Sequence, residues 1–151
     1  MSLAALSLVA NNTLAIASGL NPELVVTGAI TMTTSLIKAV KYLSNISYMD
    51  TELQQILLNS DILQDITIIK TYIEEKKHLQ DNESVKMCIA SLNETLASLE
   101  ETINSITYKL EKHKKLWFNS FRSYHISKEK EKIPVLIQQL NHRFDILIKI
   151  C

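Results

Sequence analysis

Residues 85–117 constrain this chain more than any other stretch. Val85, Ile89, Leu92, Leu96, Leu99, Ile103, Ile106, Leu110, His113 and Trp117 follow one another in alternating steps of four and three. An apolar seam with a mean repeat of 3.5 residues is the mark of a long helix packed lengthwise against other helices. At 1.5 Å per residue it measures roughly 50 Å, longer than most helices of compact domains. Asn93, Glu94, Glu100, Glu101 and Lys109 supply the polar face of the same element. No other stretch reads as a strand of comparable strength, so the expected class is all-α. The expected architecture is a four-helix-type bundle around this heptad-patterned central helix, with an extra uncharged N-terminal helix.

Two glycines and two prolines in 151 residues leave little room for long irregular loops, and the length suits one domain with a real core. Sixteen basic residues balance sixteen acidic ones, which argues against a nucleic-acid partner. The balance is uneven along the chain. Residues 52–104 hold ten acids and four bases, a net of −6, whereas residues 109–132 hold eight bases and three acids, a net of +5. Cys88 and Cys151 are too few for a disulfide framework. Asn-x-Ser/Thr triplets such as those at Asn11, Asn45 and Asn93 carry meaning only in a secreted chain. No Lys or Arg precedes the first apolar residues, so a charged secretory leader is not expected and the protein is expected in the cytoplasm.

In chain order, residues 2–20 carry no charge, and Leu3, Leu6, Val9, Leu14, Ile16 and Leu20 alternate with small residues. Asn11 and Asn12 in the middle make a permanent single-pass anchor a poor reading; a buried or conditionally exposed helix fits better. Residues 1–20 are therefore set apart from a bundle of residues 21–151. Asn21-Pro22-Glu23 reads as a helix start, and that helix is expected to run to about Ile46. Thr27, Gly28, Thr31, Thr33 and Thr34 give its first half the small, weakly polar surface of helices that pack closely or sit in lipid. A further cap at Asp50 opens one helix carrying Leu53, Ile56, Leu57, Leu63, Ile66, Ile69 and Ile73, with Ile62 and Ile68 broadening its stripe. Asp81-Asn82-Glu83-Ser84 caps the long helix, expected to end near Tyr124 or His125. Ser127 is the expected cap of the last helix, with Ile133, Ile137, Leu140, Phe144, Leu147 and Cys151 as its stripe. Pro134 leaves two alternatives, a helix that starts there or one that kinks near Lys130. The core expected from these patterns is Ile89, Leu92, Leu96, Leu99, Ile103, Ile106, Leu110, Trp117, Leu140 and Phe144.

Catalytic signatures are absent: no glycine-rich phosphate loop, no Cys-x-x-Cys, no His-Glu-x-x-His and no nucleophile elbow. The chain is not expected to be an enzyme or to need a cofactor. His113 takes a seam position, where a histidine satisfied within the bundle is the ordinary reading. Glu75-x-x-His78 has the spacing of di-metal bundles, but one copy between lysines lacks the second motif and inward carboxylates such sites require. His142 and Asp145 read as a surface pair. Residues 109–132 stand out, because Trp117, Phe118, Phe121 and Tyr124 lie among the lysines. Clustered basic residues are drawn to anionic lipid, and Trp and Tyr favour the interface; the alternative, preferred for the aromatics, is a solvated helical hairpin whose rings fill the end of the bundle.

The uncharged N-terminal segment, the IKAVKYL run, the long helix with LNETLASLEETINSITYKLEKHKKLWFNSFRSY and the last helix with EKIPVLIQQLNHRFDILIKI together resemble the HeLo-type helical bundles of cell-death proteins. That group includes fungal incompatibility proteins and mixed-lineage kinase domain-like protein, and more remotely plant coiled-coil immune receptors. The match covers most of the chain in helix order, through loose helical patterns. It implies a bundle that forms homo-oligomers after a signal and permeabilises membranes in regulated cell death such as necroptosis, or in innate immunity. It also implies passage from cytoplasm to membrane and control by a C-terminal or separate regulatory domain. Carried to this chain, Leu3, Leu6, Val9, Leu14, Ile16 and Leu20 would insert. Lys109, Lys112, Lys114, Lys115 and Arg122 would meet anionic lipid. Pro134 departs from the pattern. The rival expectation is a soluble scaffold or interaction domain, an oligomer built on the Val85–Trp117 seam and indifferent to lipid.

Overall fold

The computed structural model describes residues 21–46, 51–115 and 126–151, with positions 114 and 115 as helical backbone only. Among them the regular structure is helical throughout: α1 (Pro22–Ser44), α2 (Thr51–Ser60), α3 (Ile62–Lys76) with a short 3₁₀ turn (Lys77–Leu79), α4 (Glu83–Lys115) and α5 (Ser127–Ile150). The expected bundle is present, with α2 and α3 together filling the second of its four positions. Residues 1–20, with the expected extra helix and its six apolar positions, lie outside the described residues, as do Trp117 and Arg122.

Local chemistry explains the helix starts. Asn21 Oδ1 accepts the Glu23 amide at 2.9 Å, with Pro22 in the first turn and Glu23 at the positive end of the dipole. Asn82 caps α4 in the same way, its Oδ1 accepting the Val85 amide at 3.2 Å. α5 differs from expectation. The cap is Ile126, whose carbonyl accepts the Lys130 amide at 2.8 Å, and Ser127 is already the first helical residue. Pro134 therefore falls inside α5, neither starting it nor ending it.

The seam on α4 is buried as its period requires. Ile89, Leu92, Leu96, Leu99, Ile103, Ile106 and Leu110 are fully enclosed, and Val85 nearly so. They meet Val26, Ala29, Leu36, Val40 and Leu43 of α1 and Ile133, Leu140 and Leu147 of α5 in one continuous core. α3 completes it with Ile62, Ile66, Ile69 and Ile73. Two expectations are corrected. Phe144 is only partly buried: its ring stands edge-on to Tyr72 of α3, centroids 5.3 Å apart at 88°. Ile68 is exposed, because α3 turns Ile66 and Ile69 inward instead. His113, near the end of the seam, is half-buried.

The second correction of weight is the break between α2 and α3, where one continuous helix was expected. Asp61 sits in the left-handed region at φ 50° and ψ 38°, the one non-glycine positive φ among the described residues. A short polar residue tolerates that conformation better than most. The Asp61 amide reaches only the Leu58 carbonyl, at 3.4 Å, and the Ser60 hydroxyl turns back to the Leu57 carbonyl at 3.3 Å. The break changes direction between two packing duties: α3 lies on α1, and α2 lies on α5.

Candidate functional site

Cross-helix contacts fix which ends meet. α1 and α4 run parallel: Gly28 faces Asn93, the Ser35 hydroxyl donates to Glu100, and the Tyr42 hydroxyl donates to Glu111. α5 runs antiparallel to α4. Glu129 meets Ser105 at 3.2 Å and Lys109 at 2.5 Å, and Arg143 Nη1 donates to the Ser91 carbonyl at 2.8 Å and to Thr95 Oγ1 at 2.7 Å. Lys130 reaches across to Glu52 at 2.8 Å, so the start of α2 stands beside the start of α5. The C-terminal ends of α1 and α4 and the N-terminal ends of α2 and α5 thus share one pole of the bundle.

Lysines gather at that pole from three helices. Lys38 and Lys41 come from α1, Lys109 and Lys112 from α4, and Lys128, Lys130 and Lys132 from α5. Lys38, Lys41, Lys112, Lys128 and Lys132 are exposed. Lys109 is engaged by Glu129 and Lys130 by Glu52, so these two amines are committed within the fold. Of the five basic residues expected to face lipid, Lys112 stands exposed on the pole and Lys109 is drawn into an ion pair. The Lys114 and Lys115 side chains and Arg122 lie outside the described residues. Lys38 and Lys41 were not expected in the cluster. Their only sequence signal was the IKAVKYL run, which says nothing of how α1 lies on α4.

A groove of about 610 Å³ runs between α4 and α5 just below the pole, with Ser98, Glu101, Ser105, Lys128, Glu129 and Lys132 among its walls. Burial works to raise the Glu129 carboxyl. Hydrogen bonds from Lys109, a backbone amide and Ser105, with the Lys109 charge, outweigh it and hold the group below the usual carboxylate range. Glu129 is thus an anion with a fixed counter-charge. The groove presents both signs side by side, an arrangement for positioning helices more than for bond-making.

The remaining candidates take ordinary structural places. His78 Nδ1 lies 3.1 Å from the Glu75 carbonyl at an exposed helix end. His142 and Asp145 are exposed on α5. Among the described residues no group of three or more His, Cys, Asp or Glu gathers in a metal-holding arrangement. One described helix, α1, is long and apolar enough to cross a membrane by length and composition, and a third of its most apolar window is buried in the bundle. The hydroxyls of Thr33 and Thr34 both fold back onto the Ile30 carbonyl, at 2.7 and 3.0 Å. That satisfies both hydroxyls within the helix.

No family model matches the chain, and no solved structure matches it. An uncharacterized protein of Acanthamoeba polyphaga mimivirus is 28% identical over 104 residues, covering 63% of this chain. The chain accounts for 50% of that relative's length.

Proposed function

We propose that this protein is a membrane-targeting, oligomerising helical bundle that permeabilises membranes, with the lysine pole meeting anionic lipid and the uncharged N-terminal segment inserting. The observation that carries the reading is the gathering of Lys38, Lys41, Lys112, Lys128 and Lys132, exposed and drawn from three helices, on one pole. Residues 2–20 are uncharged, and α1, which follows, also has the length and composition of a membrane helix. Each lysine near an anionic surface is worth about 1 kcal/mol, so five acting together suffice for recruitment without a lipid pocket.

The test is dye release and co-sedimentation with liposomes of graded anionic content, comparing the full chain with a version lacking residues 2–20. Leakage that rises with anionic lipid, and is lost on truncation while binding and helicity persist, is the expected result. Replacing Lys112 and Lys128 by Gln should weaken binding roughly 10- to 30-fold, by the loss of about 1 kcal/mol at each site.

The second reading, a soluble scaffold or interaction domain, draws on exposed apolar residues of α5: Val135, Ile146, Ile148 and Ile150. The α4 seam is enclosed from Val85 to Leu110, so a scaffold would assemble through such outer residues. Folded protein that neither binds nor leaks any vesicle, even when concentrated into oligomers, would sink the membrane reading and favour this one.

A further inference from the structure

The chain has two cysteines, far apart in sequence, and the antiparallel packing of α5 on α4 carries both to the same end of the bundle. Cys88 lies in the second turn of α4, partly buried against the core, and Cys151 closes the last turn of α5, its amide donating to the Leu147 carbonyl at 3.1 Å. The offset between these helices is the same at two levels. Glu129 meets Ser105 and Lys109; Arg143 meets Ser91 and Thr95. Carried to the end of α5, that offset sets Cys151 opposite residues 83–87, beside Cys88. Orientation follows from Phe144, two helical turns earlier on the same stripe as Cys151. Its ring packs on Tyr72 of α3, and the neighbouring Arg143 reaches Ser91 and Thr95 of α4, so this stripe turns toward the junction of α3 and α4.

We infer that Cys88 and Cys151 form a reversible thiol pair, able to close as a disulfide that fastens the end of α5 to the start of α4. The co-reactant is a small disulfide such as oxidised glutathione. Cys151 is exposed and Cys88 is not, so the Cys151 thiolate attacks first. That step forms a mixed disulfide and expels one glutathione thiolate. The Cys88 thiolate then attacks Cys151 Sγ and expels the second. Two electrons pass from the protein thiols to glutathione, which leaves as two thiols carrying the two protons. Burial first, and then the electrostatic influence of Cys151, push the Cys88 thiol up, as expected of two groups that lie close together. Tyr72, also raised by burial and by Cys151, shares the environment of the pair.

The experiment equilibrates the full chain with glutathione buffers of graded ratio, then counts thiols and maps peptides by mass. The expected result is a fall from two free thiols to none in monomeric protein, with a peptide cross-link from Cys88 to Cys151. Replacing Cys88 by Ser should trap one glutathione on Cys151, and C151S should leave Cys88 unmodified in the same buffers. A stable glutathione adduct on Cys151 with Cys88 still free in the unaltered chain would overturn the inference. So would oxidation that yields only dimers linked through Cys151. Both of these outcomes are read on the unaltered sequence and do not depend on the folding of a variant. Neither rests on membrane activity.

Discussion

Pro134 sits seven residues inside α5, exposed, with no amide to offer the Lys130 carbonyl and with a ring that crowds the preceding turn. Replacing it by Ala restores one backbone hydrogen bond and removes that crowding. In a helix interior the difference between the two residues is about 3 kcal/mol. That figure already includes the restriction proline places on the unfolded chain. Its ring further lines a shallow groove with Ile56 and Ile137, and some of that contact is lost. The expected net gain is about 2 kcal/mol for P134A. For a chain of this length that is a rise in Tm of about 4–8 °C, read by circular dichroism. In urea the midpoint should rise with an unchanged slope. V135A, at the neighbouring exposed position, is the control; it should move stability by no more than about 0.5 kcal/mol. A P134A midpoint at or below that of the parent would refute the reasoning. It would mean that α5 is bent around Pro134 to make contacts a straight helix cannot keep.

Leu99 lies at the middle of the seam with no exposed surface, so L99A should cost about 3–4 kcal/mol, measured as a loss in urea midpoint. For Glu129 the sign follows from its depressed carboxyl: the stabilisation it gives is present above the unfolded carboxylate range near pH 4.3, and it disappears as pH falls through the lower native value. The stability gap between the parent and E129Q should therefore be widest near neutrality and close in acid, as followed by denaturation at a series of pH values. Hydrogen exchange should rank the helices. α2 buries only Leu53 and Leu57 and ends at the left-handed Asp61, so its amides should exchange by local opening. The middle of α4 should exchange only through global unfolding; equal protection of the two would contradict the packing described here.

The α4 seam was legible because steps of three and four over so many residues admit one secondary structure and one buried face. The caps at Asn21 and Asn82 were legible for a similar reason, since each is decided by the two or three residues that follow. The break at Asp61 was hidden by the same periodicity. Leu53, Leu57, Ile62, Ile66, Ile69 and Ile73 keep nearly helical spacing across it, so the apolar pattern passes over the residue that changes direction. Asn59-Ser60-Asp61 was the available hint, and a run of short polar residues is equally at home on an exposed helical face. The lysine pole was half legible. A run of charges in one segment can be counted, but the addition of Lys38 and Lys41 depends on the parallel register of α1 and α4, set by Gly28, Ser35 and Tyr42 meeting Asn93, Glu100 and Glu111. The loss of Lys109 and Lys130 to ion pairs depends likewise on partners distant in sequence.

These features place the lysine pole and the most weakly held helix at the same end. α2 is fastened there by Glu52 to Lys130 and by two buried leucines, against a core that elsewhere takes at least four side chains from each helix. The Glu52–Lys130 bridge is largely open to solvent on the carboxylate side, so it contributes little to stability. An anionic surface would compete with Glu52 for Lys130, because both offer the amine the same negative charge. On the proposed membrane reading, that competition would turn Lys130 toward the surface at little cost in stability, with Leu53 and Leu57 still holding α2.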